Sequence, residues 1–236
     1  HISDRKKEVD LNTIFIDIGA SSKEDVAKMG IKVGTVVTFK DELMELGKDY
    51  YSGRALDNRI GGFMIAEVAR KLKEKGKKLP FKLYIVNSVQ EEIGLRGAEM
   101  IAHTIKPNVA IITDVCHETS SPCYTASKQG DHIAGDGGVI TRGPAVHNKL
   151  RKLILDTAEA KKIPHQLAAS SRSTGTDTDA FAYANGCTSS ALISLPLKYI
   201  HTTCETVHKE DIKNVIELIY ETLLNIEENH NFKYNS

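Results

Sequence analysis

No apolar run in the chain approaches the roughly 18 to 20 residues that span a bilayer, so a helical membrane anchor within it is not expected. Net charge is also absent: 31 Lys and Arg balance 31 Asp and Glu, at a pI of about 7.3. Without a basic excess there is no electrostatic footprint for nucleic acid or an anionic membrane surface. The four cysteines, Cys116, Cys123, Cys187 and Cys204, include no CxxC pair. Scattered thiols in 236 residues fit a reducing cytoplasm better than a disulfide framework. Internal repeats, low-complexity segments and a signal-peptide pattern are missing too. The glycines of Gly135-Asp136-Gly137-Gly138 are not followed by a helix start with Lys-Ser/Thr, so they make a weak phosphate loop. What is present is an ordinary globular composition, 41% hydrophobic and 26% charged, enough for one large domain or one with a small appendage.

The pattern changes along the chain. Residues 1 to about 46 read as a small β-rich module too small to be stable alone. In it, 13–19 and 35–39 are expected strands, and 21–30 is a short capped helix ending at Gly30. From about residue 47 onward helices and strands alternate. Helices are expected over 58–75, 96–103, 147–162, 177–185 and 209–226, and strands over 81–89, 108–115 and 189–196. Within the first of these helices Ile60, Phe63, Met64, Ala66 and Val68 supply the apolar face. Such alternation implies a doubly wound α/β sheet. The chain opens with His1-Ile2-Ser3-Asp4, which reads as mid-domain sequence, so the expectation is a polypeptide whose beginning is absent.

The stretch that carries chemistry is Val89-Gln90-Glu91-Glu92-Ile93-Gly94. Two adjacent carboxylates end the apolar run Leu83-Tyr84-Ile85-Val86. Acids at the mouth of a buried strand are costly unless paired, and in open α/β sheets sites form outside the carboxyl ends of strands. Asp114 ends a second apolar run, Asp57 opens a helix, and His201 follows a third run after a short loop. Taken singly, each has a plain structural reading. Asp57 reads as an N-cap, worth about 1 kcal/mol. Glu91 and Glu92 read as a solvated pair, Asp114 as a turn cap, and His201 as a loop histidine. His117 and His208 read as surface residues or as neighbours of ligands. Gly61 and Gly62 weaken their helix by up to about 1 kcal/mol each, a sign of close packing there.

The joint pattern is more specific. Leu56-Asp57-Asn58-Arg59-Ile60-Gly61, Gln90-Glu91-Glu92-Ile93-Gly94, Thr113-Asp114, Gly175-Thr176-Asp177 and Tyr199-Ile200-His201 occur in one order. Together they resemble the M42 family of metallo-aminopeptidases, which includes glutamyl, deblocking and tetrahedral aminopeptidases. The resemblance runs from about Ile14 to about Ile226. It implies a mixed-sheet α/β/α peptidase domain (47–236) with part of an inserted β-rich dimerisation domain (1–46). It implies a site for two divalent metal ions, usually zinc or cobalt. By this likeness Asp57 bridges both metals, Glu92 and His201 bind one, Asp114 binds the other, and Glu91 is the general base for an activated water. Asp177 borders the substrate pocket. Short peptides would be the substrates, and dimers would build a homo-oligomer up to a dodecamer.

One departure accompanies the likeness. The family's further histidine, in a His-x-Asp motif ahead of the inserted domain, is absent, and His1 has the wrong spacing to replace it. The resemblance therefore implies one complete metal position and one short of a ligand, and leaves an inactive scaffold fragment as an alternative. The other alternative is a glycoside hydrolase, a label some family members have carried. That chemistry needs two carboxylates about 5 to 9.5 Å apart across a bond, an arrangement that adjacent residues do not offer. A carboxyl-terminal peptidase of the same clan is a weaker choice.

Overall fold

The structure is a computed structural model that describes residues 10–122 and 124–232; His1 and Cys123 lie outside the described residues. The chain divides into two compact units, His1–Lys40 and Asp41–Ser236. In the first, a 3-10 turn at Leu11–Thr13 precedes helix α1 (Lys23–Lys28). Ser22 Oγ accepts the Asp25 N–H at 3.1 Å, the cap expected for this helix, and Gly30 follows with a positive φ. The strands expected over 13–19 and 35–39 do not form: among the described residues neither segment pairs with a neighbour. Apolar alternation marks a face, but a ladder also needs a partner edge.

The second unit runs β1 (Met44–Leu46), β2 (Tyr50–Gly53), α2 (Leu56–Glu74), α3 (Arg96–Ile105), β3 (Val109–His117) and α4 (Ala126–Gln129). It continues with β4 (Gly138–Arg142), α5 (Asn148–Lys161), β5 (His165–Ala169), α6 (Asp177–Ala182), β6 (Ser189–Lys198), β7 (Glu205–His208) and α7 (Lys209–Asn225). Strand β6 is buried from Ser189 to Leu197. It pairs in parallel with β3, from Val109 opposite Ser189 to His117 opposite Leu197. Its other edge pairs antiparallel with β4 and then with β7. Antiparallel β2 and β1 extend the sheet beyond β7, and β5 lies parallel to β4. The sheet is mixed, so a plain doubly wound reading describes only the β3–β6 and β4–β5 pairs.

Side chains alternate across β6 and sort into two cores, one on each face. Ala191, Ile193, Leu195 and Leu197 pack with Met64, Val68 and Leu72 of α2, Leu150 and Ile154 of α5, and Val215 and Leu218 of α7. Leu192 packs with Ile112 of β3, Ala98 and Ala102 of α3, and Phe181 of α6. Met64, Val68 and Leu72 recur every four residues and form one stripe; Phe63 and Ala66, expected on the apolar face with Met64 and Val68, lie off it and are exposed. Asp114 shares parity with Ile112 and therefore lies on the α3/α6 face, opposite Ser194.

The segment 81–89 departs from expectation. It joins no ladder among the described residues. Leu83, Tyr84, Ile85 and Val89 are correspondingly exposed. Strands β2, β5 and β7 went unread in the sequence because four or five residues carry too little periodicity. The Gly135–Gly138 turn binds a protein carboxylate: Asp211, fully buried, accepts the N–H groups of Gly135 and Gly137 at 2.8 Å each.

Candidate metal centre

Asp57 does not cap its helix. The chain is left-handed at Ala55 (φ 54), non-helical through Asp57 and Asn58, and takes up regular helix only after them. That leaves the Asp57 carboxylate free to face the site, while its N–H donates to Glu205 Oε2 at 3.0 Å. The next residue ties this turn to β3: Asn58 Nδ2 donates to the Thr113 carbonyl at 2.9 Å and to Asp114 Oδ1 at 3.3 Å. Asn58 Oδ1 accepts the Gly61 N–H at 2.9 Å. A Cβ at position 61 would fall on that carboxamide, so the glycine anticipated to mark close packing does so.

Glu91 and Glu92 follow Gln90, at φ 61, in a turn closed by N–H donation from Gly94 and Leu95 to the Glu91 carbonyl, each at 3.0 Å. The Gly97 N–H donates to the Val89 carbonyl at 2.9 Å, and a Cβ on Gly97 would collide with that peptide. His201 lies in the turn after β6, where both Tyr199 and His201 have positive φ, 59 and 61. Non-glycine residues in this region cost roughly 1–2 kcal/mol each. Ala55, Gln90, Tyr199 and His201 all lie on the three segments that carry the ligand candidates, which is where strain is tolerated when surroundings over-determine the backbone.

These turns bring Asp57, Glu92 and His201 together. His201 Nε2 lies 3.1 Å from Asp57 Oδ2 and 3.2 Å from Glu92 Oε2. Among the described residues they form the one group of three or more such side chains whose donor atoms all lie within 4.8 Å of one another. Two carboxylates and an imidazole are a donor set suited to zinc, cobalt or manganese, so the residues present fit a divalent cation. Asp114 stands outside that group but lines the same cleft, of about 420 Å³, as Asp57, Glu91, Glu92 and His201. The remaining wall includes His117, Gln129 and His132 as well as the small side chains of Thr141, Ala169 and Ser170. Asp177 is not on that wall. It accepts a short hydrogen bond from Ser88 Oγ, and its Oδ1 is buried without a hydrogen-bond partner.

The acids crowd one another. Burial, with Glu92 and Glu205 nearby, pushes Asp57 up to about 6. Burial and the charges of Glu92 and Asp177 push Glu91 up to about 7. Asp114 is pushed up to about 8, chiefly by burial, against the opposing effect of the Val115 N–H. Burial likewise raises Asp177. Carboxylates held this far above their ordinary range are what a cation at the centre would relieve. Two contributors escaped the sequence reading. Asn58 had a signal in its neighbour Gly61; Glu205, buried four residues beyond His201, had none.

A family model for M42 glutamyl aminopeptidases matches residues 1–218 of this chain. The chain belongs to the M42 glutamyl aminopeptidase family. It is 34% identical over 221 residues to the lysyl aminopeptidase of Pyrococcus furiosus, covering 91% of this chain and 60% of that protein. A TET aminopeptidase from the marine sediment archaeon Thaumarchaeota archaeon aligns with a TM-score of 0.89 at 29% identity, over 96% of this chain and 64% of that one. The Pyrococcus horikoshii TET1 peptidase, described as able to assemble into a tetrahedron or a large octahedral shell, aligns with a TM-score of 0.70 at 28% identity, over 87% and 59%. This M42 chain therefore spans about three-fifths of the length of such relatives. Among its described residues no helix is long and apolar enough to cross a membrane.

Proposed function

We propose that this chain belongs to a metal-dependent aminopeptidase that removes N-terminal residues from short peptides, with zinc or cobalt as the metal. The observation that carries the reading is the meeting of Asp57, Glu92 and His201, from three separate segments, around one point. Asp57, Glu92 and His201 would hold one ion. Asp57 and Asp114 would contribute to a second, completed by a ligand from elsewhere in the whole protein. Such ions, when bound, polarise a scissile carbonyl and make water nucleophilic near neutral pH.

The chain's own residues supply the rest. Glu91, raised toward 7, is matched to accepting a proton from water and returning it to the leaving amine. Ser88 holds Asp177 beside this turn, where its charge helps raise Glu91. Thr141, Ala168, Ala169 and Ser170 shape the wall of the cleft. Residues 47–236 would form the catalytic domain and 1–46 part of a dimerisation domain in a homo-oligomer. Cys116, Cys187 and Cys204 are free thiols, in keeping with a cytoplasmic setting.

The test is hydrolysis of short peptides by the full-length protein, with free and with acetylated N-termini, before and after EDTA. Loss of activity in EDTA, its return with Zn²⁺ or Co²⁺, and no cleavage of acetylated peptides are expected. Hydrolysis of a glycan that persists in EDTA would replace this reading with a glycosidase, and a metal-free protein inert on every substrate with a scaffold.

A further inference from the structure

Glu205 is 2% exposed and does not line the cleft. A buried carboxylate needs acceptor work for both oxygens, and Glu205 has it. Oε2 accepts the N–H of Asp57 at 3.0 Å and Oε1 accepts the N–H of His201 at 2.8 Å. Those N–H groups belong to segments 144 residues apart in sequence, and each sits where the backbone is otherwise poorly held. Asp57 is itself non-helical, in the kink ahead of the regular part of α2, and His201 is left-handed. Strand β7 fixes Glu205 in turn, through antiparallel pairing with β2.

We propose that Glu205 is a positioning residue that sets the separation of Asp57 and His201, and with it the affinity of the metal centre, by bonding the main chains of both. It touches neither metal nor substrate. This inference rests on the metal-centre reading above. Groups that orient ligands in this way commonly govern affinity by about 10- to 100-fold.

The discriminating variant is Glu205→Gln in the full-length protein. A carboxamide keeps the shape and one acceptor but turns an NH2 toward the second N–H. Co²⁺ is the probe, titrated into metal-free protein and followed by its visible absorption. E205Q should bind Co²⁺ about 10- to 100-fold more weakly and show an altered band shape, reporting changed coordination. Thr206→Val is the control for general damage to β7: the Thr206 hydroxyl bonds Ser52 Oγ at 3.0 Å, so its loss should lower the melting temperature and leave Co²⁺ affinity and spectrum unchanged. Equal affinity and spectrum in E205Q and the unaltered protein overturn the proposal, as does equal weakening in T206V. Should E205Q not fold, Glu205→Asp, one methylene short of bridging both groups, carries the same expectation. If the unaltered protein takes up no Co²⁺ at all, the metal reading itself falls and this inference with it.

Discussion

The two sides of the candidate centre are held in different ways. Asp57 and His201 are tied at the backbone to a buried carboxylate on a paired strand. Glu91 and Glu92 follow a segment, 81–89, that joins no ladder among the described residues and exposes Tyr84, Ile85 and Val89. The contrast shows that ligand convergence does not require equal anchoring. One side is set by tertiary hydrogen bonds; the other by a local turn, closed through Glu91, Gly94 and Gly97, and by the Ser88–Asp177 link.

The comparison can be broken most severely at Glu91. In the full-length protein Glu91→Gln should retain metal, since Glu92 is untouched, and lose turnover by about 10²- to 10⁴-fold; metal content and kcat measured together check this, and full activity would remove Glu91 from proton transfer. Next in size is the contrast between strands. Ile193, fully buried in β6, should cost about 2–5 kcal/mol when cut to alanine, whereas Ile85→Ala should stay within about 0.5 kcal/mol in this chain. Urea titration of the two variants measures the gap, and equal costs would mean that 81–89 is packed as firmly as the sheet. Gly97→Ala should cost about 1–3 kcal/mol in the same urea titration, because its Cβ meets the Val89 peptide; Gly97 has no positive φ, so a cost near zero would mean that the peptide at Val89 gives way.

The smallest expected effect is a pH trend. Asp57, Glu91 and Asp114 have folded-state values raised to about 6, 7 and 8. Between the unfolded carboxylate range, near pH 4, and those values, the folded metal-free chain holds more protons than the unfolded one. Its stability from these groups is therefore fully present below about pH 4 and is lost as pH rises toward 8. Melting temperatures in EDTA should fall across that window, and a saturating divalent cation should flatten the slope. An unchanged slope with cation would separate these acids from the metal.

Part of this was legible in the residues. The apolar face read as Ile60, Phe63, Met64, Ala66 and Val68 marked α2, although Phe63 and Ala66 of that set face outward. The apolar runs ending at Asp114 and before His201 marked β3 and β6. Gly61 signalled the close approach that Asn58 makes. The run at 81–89 was misread as a strand for the same reason the others were read correctly: hydrophobicity along a segment says nothing of whether a partner edge lies beside it.

By itself, then, the sequence determined which residue types stand at the ends of apolar runs, and in what order, because periodicity and turn chemistry are local properties. The family likeness also implied the mixed sheet that is observed; only the tertiary structure decided that Asp57 is released from capping its own helix, and that Glu205 joins the main chains of Asp57 and His201. Those outcomes depend on where distant backbone N–H groups find acceptors once water is excluded, and no local pattern along the chain records that.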